Sequence, residues 1–166
     1  RKYNDAAIPT KAKAGGAYIN SFLATSDAIR NGYDEALMLD DNGNVVEAAV
    51  ANILLVYRGR LIIPDTGAAA LEGITIRTVV ELLENAGYNI ERQRIDRSMV
   101  FSADELLVTG TAMKVVYAES LDGRIIGSPN YAEKPKAGKF CEFLQGEFEK
   151  VINGEHEKSK DWLEIF

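Results

Sequence analysis

Ala36-Leu37-Met38-Leu39-Asp40-Asp41-Asn42-Gly43-Asn44-Val45-Val46-Glu47-Ala48-Ala49 decides the architecture of this chain. Asn42-Gly43 stands between two short apolar runs, a strong hairpin signal because tight hairpin turns need residues that accept positive φ. Residues 36–39 and 45–49 therefore read as paired strands. Directly downstream, apolar runs at 53–57 and 61–63 flank Arg58-Gly59 and repeat the pattern. Two hairpins in succession exclude a regular βαβ series, in which each strand is followed by a helix.

Outward from the hairpins the apolar period becomes helical. Ile19, Phe22, Leu23 and Ile29 share one face, and Gly32 is a good stop signal, which predicts a helix over 18–31. Ile76, Val79, Val80 and Leu83 recur at i, i+3, i+4 and i+7 with Gly87 beyond, which predicts a second helix near 75–86. Strand-like runs follow at 89–94, 105–109, 115–120 and 124–126. The last long helix covers 137–153, with Phe140, Phe143, Leu144 and Val151 inward. The fold class is α/β with a mixed sheet and interspersed helices. No internal repeat, low-complexity tract or obvious domain break interrupts it.

Composition narrows the function. The 166 residues are 46% hydrophobic and 27% charged, the balance of a soluble globular protein with room for one core. No apolar run approaches the ~20 residues a membrane span requires, and no signal peptide is visible. The one cysteine, Cys141, cannot form an internal disulfide, which fits a reducing cytosol and a cytoplasmic location. A net charge of -6 argues against a general nucleic-acid binder, though not against one locally held phosphate. The chain opens at Arg1 and runs into Asn4-Asp5-Ala6-Ala7-Ile8-Pro9, which reads like an interior linker. We expect 1–12 to be a linker remnant and the chain to be part of a longer protein.

The common catalytic motifs are absent. No two glycines are spaced G-x-G, so the dinucleotide fingerprint is missing. Gly138-Lys139 imitates the end of a phosphate loop, but Glu133 stands where its first glycine belongs. With one histidine, His156, in the polar stretch Gly154-Glu155-His156-Glu157-Lys158, metal clusters and Ser-His or Cys-His pairs are nearly excluded. What remains is Lys11-Ala12-Lys13-Ala14-Gly15-Gly16-Ala17-Tyr18, an amine beside two glycines at the mouth of a helix. Composition alone favours a flexible basic linker there. A nucleophilic lysine, however, needs backbone that lets a planar cofactor approach.

Lys13-Ala14-Gly15-Gly16-Ala17-Tyr18 resembles the active-site lysine segment of branched-chain aminotransferases, in the class IV group of pyridoxal-phosphate enzymes. Three further segments follow in that family's order and spacing. Val46-Glu47-Ala48-Ala49-Val50-Ala51-Asn52 resembles the segment whose first glutamate faces the pyridine nitrogen. Leu71-Glu72-Gly73-Ile74-Thr75 resembles the phosphate-binding turn, and Thr109-Gly110-Thr111-Ala112 the second phosphate and substrate-carboxylate loop. The closing Asp161-Trp162-Leu163 also looks like the family's end. One such motif is weak; four in register are strong.

The resemblance implies a barrel-like mixed sheet with helices outside, 13–166 as the cofactor-binding large domain, and pyridoxal 5'-phosphate as cofactor. It makes Lys13 the Schiff-base lysine and proton shuttle. Glu47 would keep the ring nitrogen protonated; otherwise it is a polar position on a hairpin strand. Ile74 and Thr75 would meet the phosphate at a helix start, where free N–H groups suit an anion, or else form an ordinary N-cap. Thr111 would add a hydroxyl, Leu71 would pack on the ring, and Tyr18 would reach the phenolic oxygen unless it is simply a core aromatic. Ala112 would offer its N–H to a substrate carboxylate.

The implied substrates are leucine, isoleucine or valine with 2-oxoglutarate as the 2-oxo acid. Alternatives are a D-amino acid aminotransferase, an aminodeoxychorismate lyase, or a module that keeps the fold without chemistry. A preceding smaller domain would bring an arginine to the phosphate, and the intact enzyme would be a homo-oligomer. The chain departs from the family pattern at Val50, Ala51 and Glu72, and again at Met113 and Lys114. None of these is a proposed cofactor ligand.

Overall fold

The computed structural model describes residues 9–65, 70–127 and 136–163. Its centre is a five-stranded sheet in the order β5 (Ile90–Gln93), β4 (Arg60–Pro64), β3 (Asn52–Tyr57), β6 (Glu105–Gly110) and β7 (Lys114–Tyr117). The β4–β5 pair is parallel and the other three are antiparallel, so the sheet is mixed, as the hairpin-rich sequence requires.

β3 shows why its sequence is a continuous apolar run. Side chains alternate between faces along a strand, and here both faces are covered. Leu54 and Val56 pack with α2 (Ile74–Asn85) and α4 (Lys139–Ile152) through Val79, Leu83, Phe140 and Leu144. Ile53 and Leu55 pack on the opposite face with Ile95, Val100 and Leu106. The same alternation puts Asn52 on the α2 face.

The β3–β4 turn is the two-residue Arg58-Gly59, with φ of 51° and 73°. A left-handed conformation at both central positions matches the twist of a hairpin, and the arginine accepts it at some cost. The first hairpin joins β1 (Leu37–Leu39) to β2 (Val45–Ala48) through a longer loop. Asp40 organises that loop by accepting from the N–H groups of Asn42 and Asn44, at 2.9 and 2.8 Å. The register shifts between Met38 and Leu39, a bulge that leaves Met38 opposite Glu47.

Three features differ from the sequence reading. No closed barrel forms among the described residues: β5 pairs only with β4 and β7 only with β6. Among the described residues the β1–β2 hairpin pairs with the rest of the β-structure only at one bridge, between Val45 and Ile95. The run expected over 115–120 divides into β7 and β8 (Ser120–Leu121), and β8 folds back on β9 (Arg124–Ile125). The short helix α3 (Arg97–Phe101) has no counterpart in the sequence reading, because five residues fall below the window in which helical periodicity can be read.

The helix α1 (Tyr18–Arg30) forms where the spacing predicts, but it buries Ser21 and Ala24 rather than its apolar stripe. Ile19 is 65% exposed and Phe22 71% exposed, and Leu23 and Ile29 are exposed too. Periodicity reports that a stripe exists; it does not say which way the helix turns it.

Candidate active site

Lys13 closes a 3-10 turn over Thr10–Ala12 in the left-handed region, with φ 50° and ψ 33°. Its N–H donates to the Thr10 carbonyl at 3.2 Å. A non-glycine residue held there stores about 1–2 kcal/mol, and such strain collects at functional positions. Gly15 and Gly16 follow in a second 3-10 turn over Gly15–Ala17 that runs into α1 at Tyr18. No atom stands within 4 Å of where their Cβ atoms would be, so this stretch presents an open face.

Glu47 on β2 is buried, only 7% exposed. Its Oε2 accepts from the Leu71 N–H at 3.2 Å and from Asn52 Nδ2 at 3.3 Å. Among the described residues Oε1 accepts no hydrogen bond. Burial pushes the carboxyl up to about 8, and the bond from the Leu71 N–H offsets only part of that.

Asn52 is the residue that sequence reasoning missed. Besides reaching Glu47, its Nδ2 donates to the Leu71 carbonyl at 2.6 Å, and its Oδ1 accepts from the Gly73 N–H at 3.1 Å. Gly73 is the N-cap of α2 and makes no side-chain cap. The first intrahelical bond runs from the Arg77 N–H to the Gly73 carbonyl at 3.3 Å, which leaves the amides of Ile74, Thr75 and Ile76 ahead of the ladder. The one available signal for Asn52 was a polar residue at the head of an apolar strand.

Strand β6 enters from the other side and ends in the turn that carries Thr111. Thr109 pairs with Asn52 across the β3–β6 ladder. Its hydroxyl is fully buried and has no hydrogen-bond partner among the described residues.

These parts surround one open cleft whose envelope, including its solvent mouth, is about 810 Å³. Of the eight residues singled out from sequence, Lys13, Tyr18, Glu47, Leu71, Ile74, Thr75 and Thr111 line it. Ala112 does not; it sits exposed in the turn one residue beyond. Val50, one of the departures from the family pattern, lines the cleft as well. An amine, a buried carboxylate and an uncapped helix N-terminus around one cavity suit a ligand with a carbonyl, a basic nitrogen and an anionic group.

Known proteins resemble the chain throughout its length. The profile of the family described as amino-transferase class IV matches residues 1–121. A branched-chain-amino-acid aminotransferase of Pseudomonas aeruginosa is 39% identical over 153 residues, covering 92% of this chain and 48% of that protein. The crystal structure of a branched-chain aminotransferase from Thermoproteus uzoniensis with norvaline superposes with a TM-score of 0.90 at 33% identity, over 99% of this chain and 52% of that one. The branched-chain aminotransferase from Escherichia coli gives 0.83 at 35% identity, over 90% and 49%. A further branched-chain amino acid aminotransferase, complexed with N-(5'-phosphopyridoxyl)-L-glutamate, gives 0.88 at 32% identity, over 98% and 52%. The chain thus spans about half the length of the relatives it matches.

Proposed function

Because the chain belongs to the class IV aminotransferase family, we propose that it is the cofactor-bearing part of an enzyme that exchanges amino groups between branched-chain amino acids and 2-oxoglutarate, with pyridoxal 5'-phosphate. The observation that carries this reading is the convergence of Lys13, Glu47 and the start of α2 on one cleft. When bound, the cofactor supplies an electron sink for the carbanion formed at the substrate Cα. Everything else falls to residues of the protein.

In this reading Lys13 Nζ would hold the cofactor at its aldehyde and would act as base and acid for the substrate's α-proton. Glu47 stands where a protonated ring nitrogen would need a counter-charge. Alone, its carboxyl tends to keep its proton because it is desolvated. A cation against Oε1 would favour the carboxylate, and the carboxylate in turn would hold the proton on the ring. The amides that open α2 and the hydroxyls of Thr75 and Thr111 suit the phosphate. Tyr18, at the first turn of α1, would meet the phenolic oxygen, and Leu71 would pack against the ring.

The substrate class rests on the names of the relatives and on the apolar side chains of Val50 and Ile74 at the cleft. Reduction with borohydride after incubation with the cofactor should fix it covalently on Lys13, located by peptide mass spectrometry. Lys13→Ala should give no adduct and lower turnover by about 100- to 10,000-fold, the usual worth of acid–base catalysis. An adduct on another lysine, with Lys13→Ala still active, would refute the assignment. A panel of amino donors run on the full-length protein separates branched-chain substrates from D-amino acids and from lyase chemistry.

A further inference from the structure

Asn52 has no part in the reading above, yet its side chain makes three hydrogen bonds within the site's framework. One amide group makes three contacts on two elements. It donates to the Glu47 carboxylate at 3.3 Å and to the Leu71 carbonyl at 2.6 Å, and it accepts from the Gly73 N–H at 3.1 Å. Leu71 closes the loop by donating its own N–H to the same Glu47 oxygen at 3.2 Å.

We propose that Asn52 is a positioning residue that locks the Glu47 carboxylate with Oε2 engaged and Oε1 left for the ligand, and couples that orientation to the start of α2. The proposal rests on the cofactor reading given above. Three features point the same way. Strand alternation along β3 aims Asn52 at α2, on the face shared by Leu54 and Val56. Two donors converge on Oε2, so a rotation of the carboxyl would break both hydrogen bonds at once. The approach is also close enough to dictate its neighbour: a Cβ on Gly73 would lie 2.5 Å from Asn52 Oδ1. Gly73 has an ordinary φ of -70°, so what a Cβ there would disturb is the Asn52 amide and not the backbone.

The consequence is chemical as well as structural. Hydrogen bonds donated to a carboxylate favour its charged form, and the charged form is what a protonated ring nitrogen needs. Without the Asn52 donor, Glu47 is left with burial against a single backbone N–H. The ring nitrogen should then lose its proton at lower pH. The other ionisable side chains on the cleft are Lys13 and Tyr18, and the groove behind Leu71 carries Lys11, Asp65, Glu72, Arg77 and Arg92. None of these is altered by the variants below.

The test is a pH titration of the absorbance of cofactor bound to the full-length protein, in Asn52→Ala, Asn52→Leu and Gly73→Ala. The expected result is a downward move of the ring-nitrogen midpoint by about one pH unit, a tenfold change in the proton equilibrium. It should appear in the asparagine variants and in Gly73→Ala, which displaces the amide while leaving Asn52 and Glu47 in the sequence. In a Glu47→Gln background the Asn52 change should add nothing further, because the two act through one carboxylate. If the variants weaken cofactor binding or lower Tm but leave the midpoint in place, Asn52 is a mere brace and the proposal fails. A shift that persists undiminished in Glu47→Gln also overturns it. Should the Asn52 variants not fold, Gly73→Ala decides alone. If the unaltered protein forms no absorbing adduct on Lys13, the cofactor reading itself has failed, and this inference with it.

Discussion

At the scale of single residues, Glu47 is the group whose chemistry departs most from its ordinary behaviour. Its carboxyl is buried and pushed up to about 8 from the ordinary 4.5 of a glutamate. The folded protein therefore keeps a proton on Glu47 that the unfolded chain releases at lower pH. Stability follows the difference in bound protons, so Glu47 favours folding fully below about pH 4.5 and loses that contribution as the pH rises towards 8. A few kcal/mol, at ~1.4 per pH unit, is the upper scale of the effect. Denaturant unfolding of the cofactor-free chain at pH 5 and pH 8 should show the decline, and Glu47→Gln should flatten it. An identical slope in both proteins would mean that Glu47 is charged and paired in the folded state. With cofactor bound, the same substitution should retain the ligand but slow turnover, because the counter-charge to the ring nitrogen is gone. Turnover at the parent rate would remove Glu47 from its assigned role.

At the scale of elements, helix starts carry the design. No side chain caps the amides of Ile74, Thr75 and Ile76 at the start of α2, which opens at the cleft. α4 is the opposite case. Glu105, buried on β6, accepts from the N–H groups of Phe140 and Cys141 at 3.1 and 3.0 Å, capping a distant helix from within the sheet. A Cβ on Gly138 would collide with that carboxylate, so the glycine just before the helix follows from the cap. Glu105→Gln loses one acceptor and the charge facing the helix dipole, and should cost about 1–3 kcal/mol. For a chain of this size that is roughly 2–4 °C of Tm per kcal/mol. Thermal melts test it, and an unchanged Tm would show that the cap is dispensable. The α4 cap was not readable in the sequence, because Glu105 and Phe140 are far apart along the chain and no local pattern links them. What the sequence did carry was local: the Arg58-Gly59 turn, the period of α2 and α4, and the strand runs around them. The facing of α1 was illegible for a related reason. Its stripe of Ile19, Phe22 and Ile29 is a real helical period, but the described residues bury the Ser21 and Ala24 side instead. The site was legible as four separate segments, while Asn52, which ties two of them together, becomes visible only once β3 meets α2.

At the scale of the whole molecule, the chain folds around its own two-layered core but presents its cleft openly. Ile74 at the mouth is 72% exposed, and Lys13 is exposed as well. Among the described residues Lys13 is the only lysine or arginine lining the cleft. Its amine is assigned to the cofactor aldehyde. Among the described residues that line the cleft, a phosphate at the start of α2 would therefore meet amides and threonine hydroxyls and no further lysine or arginine. We propose that the full-length enzyme brings an arginine from a preceding domain. A charge-assisted hydrogen bond of that kind is worth about 1.5–3 kcal/mol, or roughly 10- to 150-fold in affinity. The chain by itself should accordingly stay folded, bind the cofactor at least ~10-fold more weakly than the full-length protein, and show no turnover. Pyridoxal without its phosphate should discriminate little between the two proteins, because the missing interaction is with the phosphate. Absorbance titrations of both proteins with both compounds measure all four affinities. Stoichiometric binding by the chain alone at low micromolar cofactor, with measurable transamination, would show that the α2 amides and the two threonines hold the phosphate unaided.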